Sequence, residues 1–127
     1  IGNLNAGMQR WIDWNLCVDK DGGPRHVPMG FSASMVANDD GSFRTDLMFD
    51  YIGHFSRYIQ PNAKRIGFSR CDDKVEVTAA KNPDGSVVLV VLNRGNDDAS
   101  YALRMNGLVA RISAPARTLS TIVLTEE

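Results

Sequence analysis

The chain has 127 residues, a length that fits one domain with one core. Hydrophobic residues make up 43% and charged residues 23%, values that exclude wholesale disorder and a fibrous fold. The net charge of −1 argues against a nucleic-acid or anionic-membrane surface as the main function, because both need clustered positive charge. The longest apolar run, Val87 to Leu92, is far short of the about 20 residues that span a bilayer.

The N-terminal third predicts one strand followed by one helix. An apolar, partly alternating stretch from Trp11 to Val18 predicts a mostly buried strand with polar groups at its end, and Asp19–Pro24 predicts a turn. A short extended piece is expected at Ser34–Ala37, before a turn at Asn38–Gly41. Thr45–Gln60 then predicts a helix whose apolar face needs a large partner surface: Leu47, Met48, Tyr51, Ile52, Phe55, Tyr58 and Ile59. A lone strand and helix indicate the last β/α unit of a larger α/β structure.

The rest of the chain predicts a small antiparallel module. Apolar and polar residues alternate from Lys74 to Ala79, which indicates a strand with one wet face. A hairpin turn at Asn82–Gly85 leads into Ser86–Leu92, an apolar strand expected to be buried on both faces. Three more strands follow, and five or six strands in about sixty residues make half or more of a β-sandwich: Ser100–Met105, Leu108–Ile112 and Thr118–Leu124.

The first candidate site is the polar end of the predicted strand, where Trp11–Asn15 precedes a Gly-Gly-Pro loop. Barrel enzymes carry catalytic and binding groups at the C-terminal ends of strands and on the loops that follow. Tryptophan beside Asp and Asn suits a sugar, because the ring covers the C–H face of a pyranose and the polar groups bond its hydroxyls. Alternatively, both tryptophans are core residues and the polar pair satisfies loop backbone.

Other chemistry-bearing residues favour structural roles. His26 and His54 have no Ser, Cys or acidic partner at a telling spacing, and Asp19 lies in a turn where a solvated carboxylate is expected. Cys17 and Cys71 lack a metal-ligand spacing, so we expect free thiols, with a single disulfide as the alternative. Neither a P-loop nor a dinucleotide glycine pattern is present, and we expect no cofactor and no metal.

Seven blocks of sequence run in order over nearly the whole chain: Ile1-Gly2-Asn3-Leu4-Asn5, Trp11-Ile12-Asp13-Trp14-Asn15-Leu16, Gly22-Gly23-Pro24, Tyr51-Ile52-Gly53-His54-Phe55-Ser56-Arg57-Tyr58-Ile59, Lys64-Arg65-Ile66-Gly67, Asp84-Gly85-Ser86 and Val90-Val91-Leu92-Asn93-Arg94. Together they resemble the C-terminal part of glycoside hydrolase family 30, the glucosylceramidase family. The resemblance implies an α+β fragment: the last β/α unit of a (β/α)8 barrel at residues 1–62, followed by an antiparallel β-sandwich at 63–127. It also implies that Trp11–Leu16 is the eighth barrel strand and Thr45–Gln60 the eighth helix.

The resemblance implies a retaining β-glycosidase acting on a β-glucoside, with one glutamate as acid/base and another as nucleophile. Both lie upstream in the family, and the glutamates here match no catalytic motif, so we expect this chain alone to be inactive: Glu76, Glu126 and Glu127. Trp14 matches the family's sugar-lining tryptophan, and His26 and Met29 fall on the rim of that site. Met29 stands where many relatives have an Asn that can contact the sugar, and it cannot make the same hydrogen bonds.

Two further expectations concern the molecule as a whole. The chain starts at Ile1 rather than Met, which predicts a processed protein or a piece of a longer one, with the rest of the barrel as its missing partner. The uncovered strand and helix then predict self-association of the chain. As an alternative function, the sandwich is a non-catalytic carbohydrate-binding or structural module, although its strands offer only Phe68 and Tyr101 as aromatic rings. The sequence predicts no compartment.

Overall fold

The computed structural model describes residues 1–27, 30–70 and 73–125 and divides into two compact units. One unit is Ile1–Met8 together with the chain from His54 onward, and the other is Gln9–Gly53. The helices and strands in chain order are α1 (Gly2–Asn5), β1 (Cys17–Asp19), β2 (Met35–Ala37), β3 (Phe43–Thr45), α2 (Leu47–Ser56), β4 (Lys64–Arg65), β5 (Glu76–Lys81), β6 (Val87–Asn93), β7 (Ala99–Met105), β8 (Leu108–Ala114) and β9 (Thr118–Leu124).

The unit Gln9–Gly53 is built on a three-stranded sheet with the order β1-β2-β3. β1 and β2 run parallel with Val18 opposite Val36, and β2 and β3 run antiparallel. Val18, Ala33 and Val36 form its small buried cluster. The extended piece predicted at Ser34–Ala37 is confirmed as β2, whereas β3 was not predicted.

The predicted buried strand from Trp11 to Val18 is wrong over most of its length. Strand structure begins at Cys17, and the side chains before it are largely exposed, with Ile12 at 90%. A strand requires a hydrogen-bonded neighbour. Pairing starts only at Leu16, whose carbonyl accepts the Met35 N–H at 3.1 Å, and no described strand pairs with residues 11–15.

Helix α2 is shorter than the predicted helix over Thr45–Gln60. It begins at Leu47 because Thr45 is already paired in β3, and it ends at Ser56. No residue of α2 is fully buried, and Ile52 and Phe55 on its apolar face are half-buried. Its most exposed large side chains are Leu47, Met48, Phe49 and Tyr51.

The unit that starts again at His54 contains the predicted antiparallel β-sandwich. One layer is the four-stranded sheet β4-β5-β6-β9, and the other is the hairpin β7–β8. Alternate side chains from both layers meet between them and are removed from water. The buried members of this core are Val75, Ala79, Val87, Leu89, Val91, Ala99 and Ala114.

Strand β6 is buried on both faces, as its apolar run predicts. Its side chains Val88 and Val90 point away from the sandwich core, yet they are 1% and 0% exposed. The register places Thr78 of β5 opposite Val90, on this same second face, and Thr78 is also buried. The wet face predicted for β5 is therefore wrong.

The second face of the sheet is dry because other parts of the same unit cover it. Asn5 of α1 donates its Nδ2–H to the Val77 carbonyl at 2.8 Å. At the other side of the sheet, His54 Nδ1 lies 2.9 Å from Thr121 Oγ1 of β9, and the same hydroxyl donates to the His54 carbonyl at 3.2 Å. The structural role expected for His54 is confirmed by this pair of bonds.

Two hairpin turns share the sequence Asn-x-Asp-Gly-Ser and the same hydrogen bonds. They are Asn38–Ser42 between β2 and β3 and Asn82–Ser86 between β5 and β6, and both turns are predicted from sequence. In each, the aspartate Oδ1 accepts the serine N–H at 2.9 Å and its hydroxyl at 2.6 Å, and the glycine has a positive φ. The bond from the serine hydroxyl is the main reason that the pKa values of Asp40 and Asp84 lie below the ordinary aspartate value.

The turn at Asn82–Ser86 has a second structural role that the turn at Asn38–Ser42 lacks. Asn82 is buried, its Oδ1 accepts the Gln60 N–H at 3.0 Å, and its Nδ2–H lies 3.0 Å from the Tyr58 carbonyl. Asn38 is exposed and bonds only within its own turn. Asn82 therefore fastens the chain just after α2 to the β5–β6 hairpin.

We expect Asn82→Ala to lower the free energy of unfolding by about 1 kcal/mol, because it leaves the part-buried Gln60 N–H and Tyr58 carbonyl without their partners. In the same variant, amide hydrogen exchange at Gln60 should become faster, because the Gln60 N–H loses its acceptor. Asn38→Ala is the matched control, since it removes the same turn residue without the links to residues 58 and 60. Equal stability losses for the two variants, with unchanged exchange at Gln60, would contradict this role.

Candidate functional site

The loop after β1 is organised by one carboxylate. Asp19 Oδ1 accepts the N–H groups of Asp21 at 2.9 Å and Gly23 at 2.8 Å, and the Asp19 N–H donates to the Gly23 carbonyl at 2.8 Å. The bond from Gly23 is the main reason that the pKa of Asp19 lies below the ordinary aspartate value. Asp19 is exposed, as expected for a turn aspartate, and its hydrogen bonds also close the turn.

The far end of this loop is held against the turn by a close backbone approach. Gly22 has a φ of 79°, its carbonyl accepts the Phe31 N–H at 3.1 Å, and an added Cβ would lie 2.6 Å from the Phe31 nitrogen. A Cβ at Gly23 would lie 2.6 Å from Asp19 Oδ2. The Gly-Gly pair is therefore required for the loop to fold back on itself.

The loop's return places Phe31 beside Trp14. The two ring centroids are 6.3 Å apart and the planes are tilted by 52°, a favourable aromatic geometry. The Trp14 ring is nevertheless largely open to water, since the residue is 72% exposed, and the backbone N–H of Trp14 donates to Asp13 Oδ1 at 2.8 Å. A large ring open to water and held from one side is available to pack against a ligand.

The structure adds no support for the other two predicted site residues, His26 and Met29. His26 is exposed and makes no hydrogen bond to another residue in the part of the chain that the structure describes. Met29 lies outside the described residues. Their assignment to the rim of a sugar site stays a prediction, whereas Phe31 and Asp19, which sequence reasoning did not place at the site, are positioned there.

Two carboxylates of this loop bond its backbone. Asp13 accepts the backbone N–H of Trp14, and Asp19 closes the turn. In the sandwich, Glu76 is paired with Arg94. Glu126 and Glu127 lie outside the described residues. Within residues 1–27, 30–70 and 73–125, no group of three or more His, Cys, Asp or Glu could hold a metal ion.

Two further expectations concern the state of the two cysteine thiols and a membrane-spanning segment. Cys17 is a free, exposed thiol, and Cys71 lies outside the described residues. No helix within the described segments has the length and hydropathy of a membrane span.

The sandwich offers a poor platform for an independent sugar site. Tyr101 packs against the core of the sandwich, and burial raises the pKa of its hydroxyl. Phe68 is exposed, but at 41% it is a single ring without a second aromatic side chain in this part of the sequence. This geometry disfavours the alternative of a carbohydrate-binding module.

Comparison with known proteins places the chain among the glycosyl hydrolases. Residues 1–59 match the glycosyl hydrolase family 30 TIM-barrel domain, and residues 62–122 match the glycosyl hydrolase family 30 beta sandwich domain. The chain belongs to glycosyl hydrolase family 30, which confirms the resemblance and the fold class of a barrel end followed by a β-sandwich.

Individual relatives agree with this family. The chain is 34% identical over 105 residues to the lysosomal acid glucosylceramidase of Mus musculus, covering 81% of this chain and 20% of that protein. It superposes on SrfJ from Salmonella typhimurium with a TM-score of 0.92 and 31% identity, covering 99% of this chain and 28% of that one. The endo-beta1,6-glucanase BT3312, at 20% identity and a TM-score of 0.78, shares the fold over 89% of this chain and 26% of its own. The chain thus spans about a fifth of the length of its mouse relative.

The role of Gly22 in supporting the aromatic pair can be tested by two alanine substitutions. We expect Gly22→Ala to destabilise the unit Gln9–Gly53 more than Gly41→Ala, because both positions have a φ near 80° but only Gly22 is crowded by backbone. The shared conformational strain is about 1 kcal/mol, so any excess loss at Gly22 reports the contact with Phe31. Urea unfolding and tryptophan fluorescence measure this, and equal losses with an unchanged spectrum would contradict it.

Proposed function

We propose that this chain is the C-terminal part of a retaining β-glycosidase that hydrolyses a β-glucoside. The observation that carries the proposal is the exposed Trp14 ring, held beside Phe31 by a fastened loop, in the segment that matches the family's barrel domain. The similarity to a protein named as a glucosylceramidase supports the substrate class. Trp14 would cover the apolar face of the sugar, with His26 and Met29 on the rim of the same site.

The proposal assigns the catalytic glutamates to chain outside residues 1–127. Retaining hydrolysis uses two carboxyl groups about 5 to 5.5 Å apart, one as nucleophile and one as acid/base. The carboxylates of Asp13 and Asp19 accept hydrogen bonds from backbone N–H groups of the loop, and Glu76 forms an ion pair with Arg94. None of the three is free to take either role in this arrangement, so the chain by itself should not hydrolyse an aryl β-glucoside.

We propose a domain boundary after residue 62, with the barrel part at residues 1–62 and the sandwich at 63–127. The family matches, which change from barrel to sandwich between residues 59 and 62, support this boundary. We propose that the sandwich stabilises the barrel part. The hydrogen bonds from His54 to Thr121 and from Gln60 to Asn82 support this role, because they join the end of the barrel part to the sandwich.

The sugar platform is tested in the longer protein that contains this chain. We expect Trp14→Ala to lower kcat/KM on an aryl β-glucoside about ten- to a hundred-fold, judged from the strength of stacking on aromatic rings. Trp14→Phe should retain most of the activity. The control is Phe43→Ala, which removes another exposed ring without affecting turnover.

Two results would contradict these assignments. A lowered Tm with unchanged kinetics for Trp14→Ala would identify Trp14 as a packing residue. Turnover by the isolated 127-residue chain that survives repurification would contradict the upstream location of the glutamates.

We also propose that the isolated chain self-associates through the surface that the rest of the barrel would cover. Leu47, Met48, Phe49 and Tyr51 of α2 are all exposed, as are Trp11, Ile12 and Leu16. Apolar patches of more than a few hundred Å² are seldom left in water. A two-fold dimer is the simplest way to bury them.

Light scattering over a dilution series measures this association. We expect a dimer at micromolar concentration that dissociates on dilution, and we expect Leu47→Ser with Tyr51→Ser to shift the equilibrium toward monomer. The paired control Phe68→Ser removes an exposed ring from the sandwich and should leave the dimer intact. A folded monomer at all concentrations would contradict the proposal.

A further inference from the structure

Four positions in the sequence have an aspartate or asparagine directly before a glycine, and one of them differs from the others in its surroundings. In such a pair the glycine nitrogen can attack the side-chain carbonyl carbon, because glycine has no Cβ to shield its nitrogen. The attack closes a succinimide ring, so each pair is a candidate site of spontaneous modification. The four pairs are Asp21-Gly22, Asp40-Gly41, Asp84-Gly85 and Asn106-Gly107.

In the three aspartate pairs, the glycine N–H is held in a hydrogen bond to a backbone carbonyl. An ionised carboxylate also resists attack, and the bonds from neighbouring serine hydroxyls lower the pKa values of Asp40 and Asp84. The three bonds are Gly22 N–H to the Asp19 carbonyl at 3.0 Å, Gly41 N–H to the Asn38 carbonyl at 3.1 Å, and Gly85 N–H to the Asn82 carbonyl at 3.0 Å.

The pair Asn106-Gly107, at the tip of the β7–β8 hairpin, lacks both protections. The Asn106 side chain is exposed, and neither its carboxamide nor the Gly107 N–H bonds another residue within the described segments. A Cβ built on Gly107 would meet nothing within 4 Å, so the space around this residue is open. The group to be displaced is a neutral carboxamide rather than an ionised carboxylate.

The tip of the hairpin is also free to change conformation. Asn106 and Gly107 have φ values of 50° and 81°, and they form a two-residue turn between the paired residues Met105 and Leu108. Leu108 is 78% exposed, so few contacts are broken when the tip opens locally. Opening allows the Asn106 backbone to rotate and bring its side-chain carbonyl carbon to the Gly107 nitrogen.

We propose that Asn106 is a site of spontaneous deamidation, with water as the co-reactant. The Gly107 nitrogen bonds to Asn106 Cγ, the Cγ–Nδ2 bond breaks, and the Gly107 proton leaves with Nδ2 as ammonia. Water then opens the succinimide at either of its two carbonyl carbons. Addition at Cγ breaks the new bond to nitrogen and gives aspartate, whereas addition at the main-chain carbon breaks the original peptide bond and gives isoaspartate.

Both products change the hairpin. Residues 99–117 contain three arginines and no acidic residue, so either product adds the first negative charge to this segment. Isoaspartate also lengthens the main chain by one carbon, in a turn whose geometry fits two ordinary residues. We therefore expect faster amide hydrogen exchange at Leu108 in the isoaspartate form, because its pairing with Met105 is weakened. The inference does not rest on the proposed glycosidase activity.

Incubation of the 127-residue chain in weakly alkaline buffer, prepared with heavy-oxygen water, tests the proposal. We expect peptide mapping to find a heavy oxygen atom in the peptide that contains Asn106, and isoelectric focusing to show one added negative charge per chain. The ammonia released should match the Asn106 converted, and an isoaspartyl methyltransferase should label the isoaspartate product.

Asn62 is the internal control in the same digest. It is exposed and has a φ of 68°, like Asn106, but the next residue is Ala63, whose N–H donates to the Gln60 carbonyl at 3.0 Å. Conversion should be at least about fivefold faster at Asn106 than at Asn62, because the Ala63 N–H must first give up a hydrogen bond.

Two pairs of variants separate the parts of the reaction. Asn106→Ser removes the carboxamide and should remove most of the ammonia release, whereas Asn62→Ser should leave it unchanged. Gly107→Ala keeps the carboxamide but shields the attacking nitrogen, so it should slow conversion of Asn106. Gly41→Ala is its matched control, since Gly41 also has a φ near 80° and open space around it, in another hairpin turn.

Three results would overturn the proposal. The first is equal conversion at Asn106 and Asn62, and the second is unchanged ammonia release from Asn106→Ser. The third is heavy oxygen entering the three Asp-Gly pairs as fast as it enters Asn106, because the hydrogen bonds of those glycines would then have no effect on the reaction.

Discussion

Strand β6 sets the main constraint on this molecule, because its valine and leucine side chains have to be kept from water on both faces. A strand of this kind must lie between other strands, and β6 lies between β5 and β9. One face is covered by the hairpin β7–β8, which completes the sandwich core. The other face, which includes Val88 and Val90, needs a separate cover, and the chain from His54 bonds Thr121 on that face. The composition of β6 therefore requires a cover on each side of the sheet.

The cover on the second face is held by polar groups whose bonds are mutually consistent. The Thr121 hydroxyl has a single proton, which it donates to the His54 carbonyl, so it accepts from His54 Nδ1 only when the ring carries its proton there. Asn82 likewise uses its carbonyl oxygen for the Gln60 N–H and its amide for the Tyr58 carbonyl. This contact is therefore specified by hydrogen-bond direction as well as by apolar area.

Local signals in the sequence were enough to predict β6 and the two Asn-x-Asp-Gly-Ser turns. They failed where a residue's surroundings come from far along the chain. Thr78 is predicted to be a wet strand position, but it is buried in the same row of the sheet as Val90 and Thr121, which His54 contacts. The sequence of Trp11–Leu16 predicts a strand, but a strand forms only where a neighbouring strand pairs with it, and pairing begins only at Leu16. Phe31 and Asp19 were missed at the site because only the closed loop brings them to Trp14 and Gly23.

The two faces of β7–β8 show which side chains the fold leaves free. Inward positions such as Tyr101 and Leu103 are required to be apolar, because they close the core over β6. Outward positions such as Ala102 and Arg104 are exposed, so burial demands no particular side chain there. Like charges on diagonal positions, as at Arg104 and Arg111, are unfavourable for the hairpin itself. The two arginines therefore add nothing to the core, and the stability of the hairpin rests on its inward face.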